Sequence, residues 1–222
     1  MIIYGSTMSP FVRKVVAVAI SKGVEFDLKA VRFNDEDPGY RAASPLVKMP
    51  AIDDNGYRLA DSSAICHYLD AAYEGPTLVP ADAKARGRTV WWDEYADGVL
   101  FECGRKLFFN RVVAPRFLER EGDTVMADRA EAEELPPILD YLESEMPDAD
   151  GWLVGDAMTL ADIAVASPFA NLDHAAAAID WARYPRLDAW TKKMLALPCL
   201  KDAVKREQGF LAKLGHTVAG RV

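Results

Sequence analysis

Strand-like and helix-like patterning separate in this chain at one place. Every short β-type segment lies before residue 61: Met1-Ile2-Ile3-Tyr4, Glu25–Val31, and the runs Ala51-Ile52 and Tyr57-Arg58-Leu59. The last two are joined by the hairpin-like turn Asp53-Asp54-Asn55-Gly56. From about residue 84 onward every periodic stretch has the repeat of a helix. Between them, Gly75-Pro76-Thr77-Leu78-Val79-Pro80-Ala81 has two prolines and no periodic face, as a linker does. The 222 residues are enough for two modest cores. The expected domains are therefore 1–75, a linker over 76–83, and an all-helical domain over 84–222.

In the first domain a strand at 2–4, a helix from 10 to about 22 and a strand over Glu25–Val31 make a βαβ unit. The hairpin strands and a helix from Ser62 to Tyr73 make a ββα unit. The sequence βαβ–ββα is the order of a thioredoxin-like α/β domain. In the second domain a long helix from about 85 towards 115 carries Trp91, Tyr95 and Val99 along one line. A second carries Leu135, Ile138, Leu139, Leu142 and Met146, and its Pro136-Pro137 pair makes it kinked or splits it in two. A third opens at Thr159 and carries Leu160, Ile163 and Ala164; two more follow near 185–196 and 199–213. Thr159 and Asp162 have the spacing of a capping box, with Met158 and Ile163 as its hydrophobic staple. These residues nucleate the helical domain and touch no ligand.

The chemistry concentrates after the first strand. Val12, Val15, Val16, Ala19 and Ile20 share one face of a helix whose first turn accommodates Pro10. Ser9 falls at its N-cap, beside free amides and the positive end of the helix dipole. A redox C-x-x-C occupies that place in disulfide reductases, its leading thiol activated by the same field. Here Ser9 and Val12 stand in the cysteine positions, so the loop can steady a thiolate that a ligand must bring. A Ser-Pro alone is also an ordinary helix start. Two later features add to it: Pro50, immediately before a strand, and Asp61-Ser62 at a helix N-terminus, a natural seat for a carboxylate.

Composition closes off other classes. The net charge is -8, with no basic stripe for nucleic-acid phosphates. No apolar run approaches the length of a membrane span, and the N-terminus lacks the pattern of a signal peptide. The three cysteines, at 66, 103 and 199, are too dispersed for a disulfide framework or a zinc site. Cys66 is expected in the core, and no catalytic role is expected of His67, His174 or His216. A cytoplasmic protein follows.

Tyr4 through Phe11, Ser44-Pro45 through Lys48-Met49-Pro50-Ala51-Ile52, Asp61 through Ile65, and Met158 through Ala164 together resemble a soluble, serine-type glutathione transferase, nearest to the phi and tau patterns. The resemblance spans the chain. It implies glutathione as co-substrate, with the Ser9 hydroxyl donating to its sulfur. Met49 would pair through its backbone with the cysteinyl unit, Pro50 being cis. Asp61 would face the γ-glutamyl amine, Ser62 the γ-glutamyl carboxylate, and Lys48 the glycine carboxylate. Asp61 stands where the family more often has Glu or Gln, and Ser6 and Thr7 add neighbouring hydroxyls.

The resemblance also implies an apolar pocket for a small hydrophobic electrophile, lined by Met8, Phe11, Tyr95 and Phe108, and a homodimer. No metal is needed. Alternatives on the same scaffold are a glutathione-dependent isomerase or ether-cleaving lyase, or a glutathione-binding module without turnover.

Overall fold

A computed structural model describes every residue except Phe33, Ala149, Arg221 and Val222. The first domain is a four-stranded sheet in the order β2-β1-β3-β4, built from β1 (Ile2–Tyr4), β2 (Asp27–Lys29), β3 (Ala51–Asp54) and β4 (Tyr57–Ala60). β2 runs parallel to β1, while β3 is antiparallel to both β1 and β4, with Tyr4 opposite Ala51 and Ala51 opposite Ala60. Helices α1 (Pro10–Ser21), α2 (Pro38–Ala43) and α3 (Ser62–Ala72) complete a thioredoxin-like domain.

Two expectations change. β2 is only three residues long, all exposed, rather than the full Glu25–Val31. α2 was not anticipated, because six residues are too few for a periodic signal. Its cues were local: Asp37 caps it by accepting from the Tyr40 amide, and Pro38 opens its first turn.

α1 lies between the sheet domain and the helical domain, so nearly every side chain on it is buried, including Arg13 and Lys14. Ile20, expected on its apolar face, is instead 39 % exposed near the helix end.

The expected long helix starts at Ala83 and reaches Phe117 as α4 (Ala83–Tyr95), α5 (Phe101–Phe108) and α6 (Ala114–Phe117). Two π-helical turns, Ala96–Leu100 and Phe109–Val113, interrupt it. The next run consists of α7 (Thr124–Arg129), a π turn at Ala130–Glu134, and α8 (Leu135–Glu145). Pro136 and Pro137 therefore sit in the first turn of α8. Lacking N–H groups, they cannot extend an α-helical ladder from upstream, and the wider turn before them absorbs the mismatch.

α9 (Leu160–His174) is buried along its whole length and forms the axis of the helical domain. α10 (Pro185–Leu195) and α11 (Pro198–Lys213) pack around it, α11 also reaching α1. The segment after α3 is tied down: Asp70 accepts from the amides of Leu78 and Val79, and the Leu78 carbonyl accepts from Leu160 N–H. No helix among the described residues is long and apolar enough to cross a membrane. All three cysteines are free and buried. Burial pushes the Cys66 thiol well up and the Cys103 thiol up to about 11, so neither is a nucleophile at neutral pH.

Candidate functional site

The chain leaves β1 at Gly5, with φ +147°. A Cβ there would lie 2.5 Å from Val12 Cγ2 and 3.4 Å from Met49 Cβ. The missing side chain thus lets β1, the start of α1 and the loop before β3 converge at one point. The turn that follows is tight: Ser9 N–H donates to the Ser6 carbonyl at 2.9 Å, and Met8 N–H reaches Ser6 Oγ at 3.4 Å.

Ser9 is the N-cap of α1 by backbone, with φ -79°, ψ 126° and its carbonyl accepting from Arg13 N–H. Its side chain does not cap. Among the described residues the Ser9 hydroxyl has no hydrogen-bond partner, and the residue is half-buried. Beside it, the first-turn amides of Phe11 and Val12 have no intrahelical carbonyl below them. Thr7 is half-buried in the same turn.

The loop before β3 is braced by Ser44, whose hydroxyl accepts from Lys48 N–H at 2.9 Å and donates to the Lys48 carbonyl at 2.7 Å. Val47 is held at φ +53°, a left-handed conformation that costs a β-branched residue dearly. Lys48 is exposed, Met49 half-buried and Pro50 buried, and the Met49–Pro50 bond is cis.

Asp61, at the end of β4, is likewise at positive φ, +83°. It is exposed, and its carboxylate caps α3 by accepting from the Ala64 amide at 3.0 Å. Ser62 is buried. Its hydroxyl donates to Asp97 Oδ2 at 3.3 Å, as does that of Ser63 at 3.4 Å. Asp97 lies in the first π turn and shares with Asp93 the ammonium of Lys14, at 2.6 and 2.7 Å. Burial pulls the Lys14 pKa down, but Asp93, with Asp97 beside it, holds it above the ordinary lysine range. Burial raises the Asp97 carboxyl, Asp93 adding to it against the pull of Lys14. A buried charge cluster of one cation and two anions therefore backs the start of α3.

Of the four residues expected to line an apolar pocket, Met8 and Phe11 flank Ser9 directly. The Phe11 ring meets Phe101 of α5 at a centroid distance of 4.4 Å. Phe108 is buried with its ring 6.4 Å from His174. Tyr95 packs with Trp91, Trp92 and Tyr141 at 5.3–5.6 Å, and burial, with Tyr141 close by, pushes its phenol up to about 12.

Sequence reading did not single out Asp97 or Lys14, and took Phe101 only as one of the aromatics along the long helix. The local cue for Asp97 was that Asp93 and Asp97, four residues apart, share one face of the long helical run. Among the described residues no group of His, Cys, Asp and Glu side chains is arranged to hold a metal ion.

Comparison with known proteins agrees with this architecture. Residues 3–77 match the family model for the glutathione S-transferase N-terminal domain, and residues 107–198 match that for the C-terminal domain. Glutathione S-transferase 3 of Zea mays is 30 % identical over 217 residues, covering 91 % of this chain and 92 % of the relative. A glutathione S-transferase of Hyoscyamus muticus is 28 % identical over 211 residues, covering 93 % and 98 %. The solved structure of a glutathione S-transferase from Methylobacillus flagellatus KT with GSH bound superposes with a TM-score of 0.72 at 27 % identity, over 91 % of this chain and 98 % of that one. With both domain models matched in chain order and relatives aligned over almost its whole length, the protein belongs to the glutathione S-transferase family.

Proposed function

We propose that this transferase activates the thiol of glutathione through Ser9 and delivers the thiolate to a small hydrophobic electrophile. The observation that carries this reading is the Ser9 hydroxyl: half-buried, at a helix N-terminus, and without a partner among the described residues. A cysteine thiol ordinarily titrates near roughly 8.5, so little is ionised at neutral pH. A hydroxyl donor and the end of α1 lower that value by stabilising the anion. The thiol proton leaves to solvent. The sulfur then forms a bond to the electrophilic carbon, whose electron pair departs with a leaving group or moves onto a conjugated acceptor.

The remaining seats follow the loops around Ser9. Met49 offers its backbone to the cysteinyl unit beside the cis Pro50, Lys48 attracts the glycine carboxylate, and Asp61 and Ser62 receive the γ-glutamyl end. Met8, Phe11 and Phe108 line the apolar pocket in this reading. Tyr95 belongs with them in this reading, and Phe101 joins through its contact with Phe11.

In domain terms, 1–75 binds glutathione, 76–83 links, and 84–222 contributes the electrophile pocket. A homodimer is supported by the exposed Tyr57 of β4 and by Trp91 and Val99 of the long helical run. Three free, buried cysteines suit a reducing cytoplasm, and a detoxification role accords with the reaction.

Ser9→Ala tests the core of the proposal. Glutathione binding should survive while conjugation at neutral pH falls about tenfold or more, equivalent to roughly one pKa unit of lost thiolate stabilisation. Alkaline pH should restore part of the rate. A parental thiol titration and rate in Ser9→Ala would move the donor role to Thr7 or Ser6.

A further inference from the structure

The start of α1 is gripped from outside, and the grip falls on the carbonyls of Met8 and Pro10, the residues before and after Ser9. Asn171 Nδ2 of α9 donates to the Met8 carbonyl at 2.9 Å. One helical turn earlier, the Ser167 hydroxyl donates to the Pro10 carbonyl at 2.7 Å. Both gripping residues are themselves aligned by one guanidinium. Arg13 Nη1 donates to Asn171 Oδ1 at 2.8 Å and to the Ser167 carbonyl at 2.7 Å. The other edge of Arg13 makes a two-point contact with Glu207 of α11, at 3.1 and 2.6 Å. His174 Nε2 meets the same carboxylate at 2.8 Å. All five side chains are at most 4 % exposed.

Stability does not by itself call for such an arrangement, since well-packed apolar side chains commonly replace a buried ion pair without loss. What the network supplies is geometry. The Met8–Ser9 peptide is held directly, the Pro10–Phe11 peptide is held one residue further on, and the Ser9 carbonyl between them accepts from Arg13 N–H, so the direction of the Ser9 Cα–Cβ bond is set. A hydroxyl donor is steeply sensitive to distance and angle. We propose that Asn171 and Ser167, aligned by Arg13 and Glu207, are positioning residues that aim the Ser9 hydroxyl at the bound sulfur. This rests on the reading of Ser9 as the sulfur's hydrogen-bond donor. The helical domain then takes part in thiol activation through the backbone of the Ser9 loop, without touching glutathione.

The test titrates the ultraviolet absorbance of the thiolate in the glutathione complex against pH, with kcat, KM and Tm measured on the same samples. Asn171→Leu and Ser167→Ala each remove one grip without adding charge. Each should raise the titration midpoint by about half to one pH unit, or roughly three- to tenfold less thiolate at neutral pH. kcat should fall in step and recover in alkali, while glutathione affinity stays within about twofold. Ser167→Thr keeps the hydroxyl and should keep the parental midpoint. Leu200→Ala, a buried packing change in α11, should lower Tm and leave the midpoint in place. In a Ser9→Ala background neither α9 substitution should move the midpoint further.

The proposal is overturned if the α9 variants lose Tm but keep the parental midpoint, or if Leu200→Ala shifts the midpoint as much as they do. It also falls if their shift persists without the Ser9 hydroxyl. Should Asn171→Leu not fold, Ser167→Ala decides. An unmoved midpoint in Ser9→Ala brings down the donor reading and this inference together. A shift in Ser9→Ala with none in the α9 variants brings down this inference alone.

Discussion

α1 and α9 are both buried helices with a hydroxyl residue at the N-cap, yet the two caps are used in opposite ways. At α9 the cap is closed. Asp162 accepts from the Thr159 amide at 2.8 Å, the Thr159 hydroxyl at 3.1 Å and the Leu153 amide at 2.8 Å. At α1 the cap is open: the Ser9 hydroxyl bonds to nothing among the described residues, and no acidic residue stands in the first turn. A closed cap anchors a fold, and an open one leaves amides and a hydroxyl for a ligand. The helix with the open cap still has to be held, and α9 and α11 hold it through Arg13, Ser167, Asn171 and Glu207.

If that grip replaces the cap, breaking it should cost most. Glu207→Gln leaves Arg13 buried without its counter-charge, and the expected loss at neutral pH is about 3–5 kcal/mol. The loss should depend on pH with a definite sign. Burial pushes the Glu207 carboxyl up, but Arg13, aided by His174, overrides it and holds the pKa below the ordinary 4.5. A carboxyl depressed in the fold contributes stability that is fully present above its unfolded value and is lost as pH falls through its folded value. The Tm difference between parent and Glu207→Gln should therefore be constant near neutrality and shrink below about pH 4.5. A difference that grows on acidification would mean that Arg13 does not depend on this carboxylate.

Opening the closed cap should come next. Asp162→Ala strands two amides and a hydroxyl that the carboxylate now accepts from, for an expected loss of about 2–4 kcal/mol. Burial raises the Asp162 carboxyl in spite of those donors, so the site is a tightly enclosed one. Molecules that still fold should keep a parental thiol titration with glutathione, because Asp162 has no bond to the Ser9 loop. An Asp162→Ala protein as stable as the parent would reduce the capping box to a coincidence of spacing.

The two caps were also unequally legible. Thr159 and Asp162 are three residues apart, so their reciprocal bonds can be read from local sequence. Ser9 and Pro10 give away a helix start, but nothing local says that the hydroxyl is left free. The cis bond at Pro50 was implied by family resemblance and not by spacing, since cis is the minority state for any X-Pro bond. Least legible were the groups that act across the domain interface. Arg13 and Lys14 interrupt an apolar helix, a pattern that ordinarily turns charge to solvent; both are buried because a second domain covers that face. Their partners lie 79 residues away at Asp93 and 194 away at Glu207, beyond any periodicity. The π turns were equally hidden, as they depend on how the long helical run accommodates its neighbours and its prolines.

The smallest expected effect is the one that separates the two caps most cleanly. Replacing a working Ser or Thr N-cap with Ala typically costs about 0.5–2 kcal/mol. Thr159→Ala should fall near the middle of that range, about 1 kcal/mol. Ser9→Ala, measured without glutathione, should cost less than about 0.5 kcal/mol, because the hydroxyl it removes caps nothing and the grip on the Met8 and Pro10 carbonyls is backbone-directed. Parallel thermal melts of the two variants and the parent decide the matter. Equal losses at both positions would mean that the Ser9 hydroxyl is bound up in holding α1 in solution and is not available to a thiol. A loss at Thr159 alone, together with a conjugation defect at Ser9 alone, would assign one cap to the fold and the other to the chemistry.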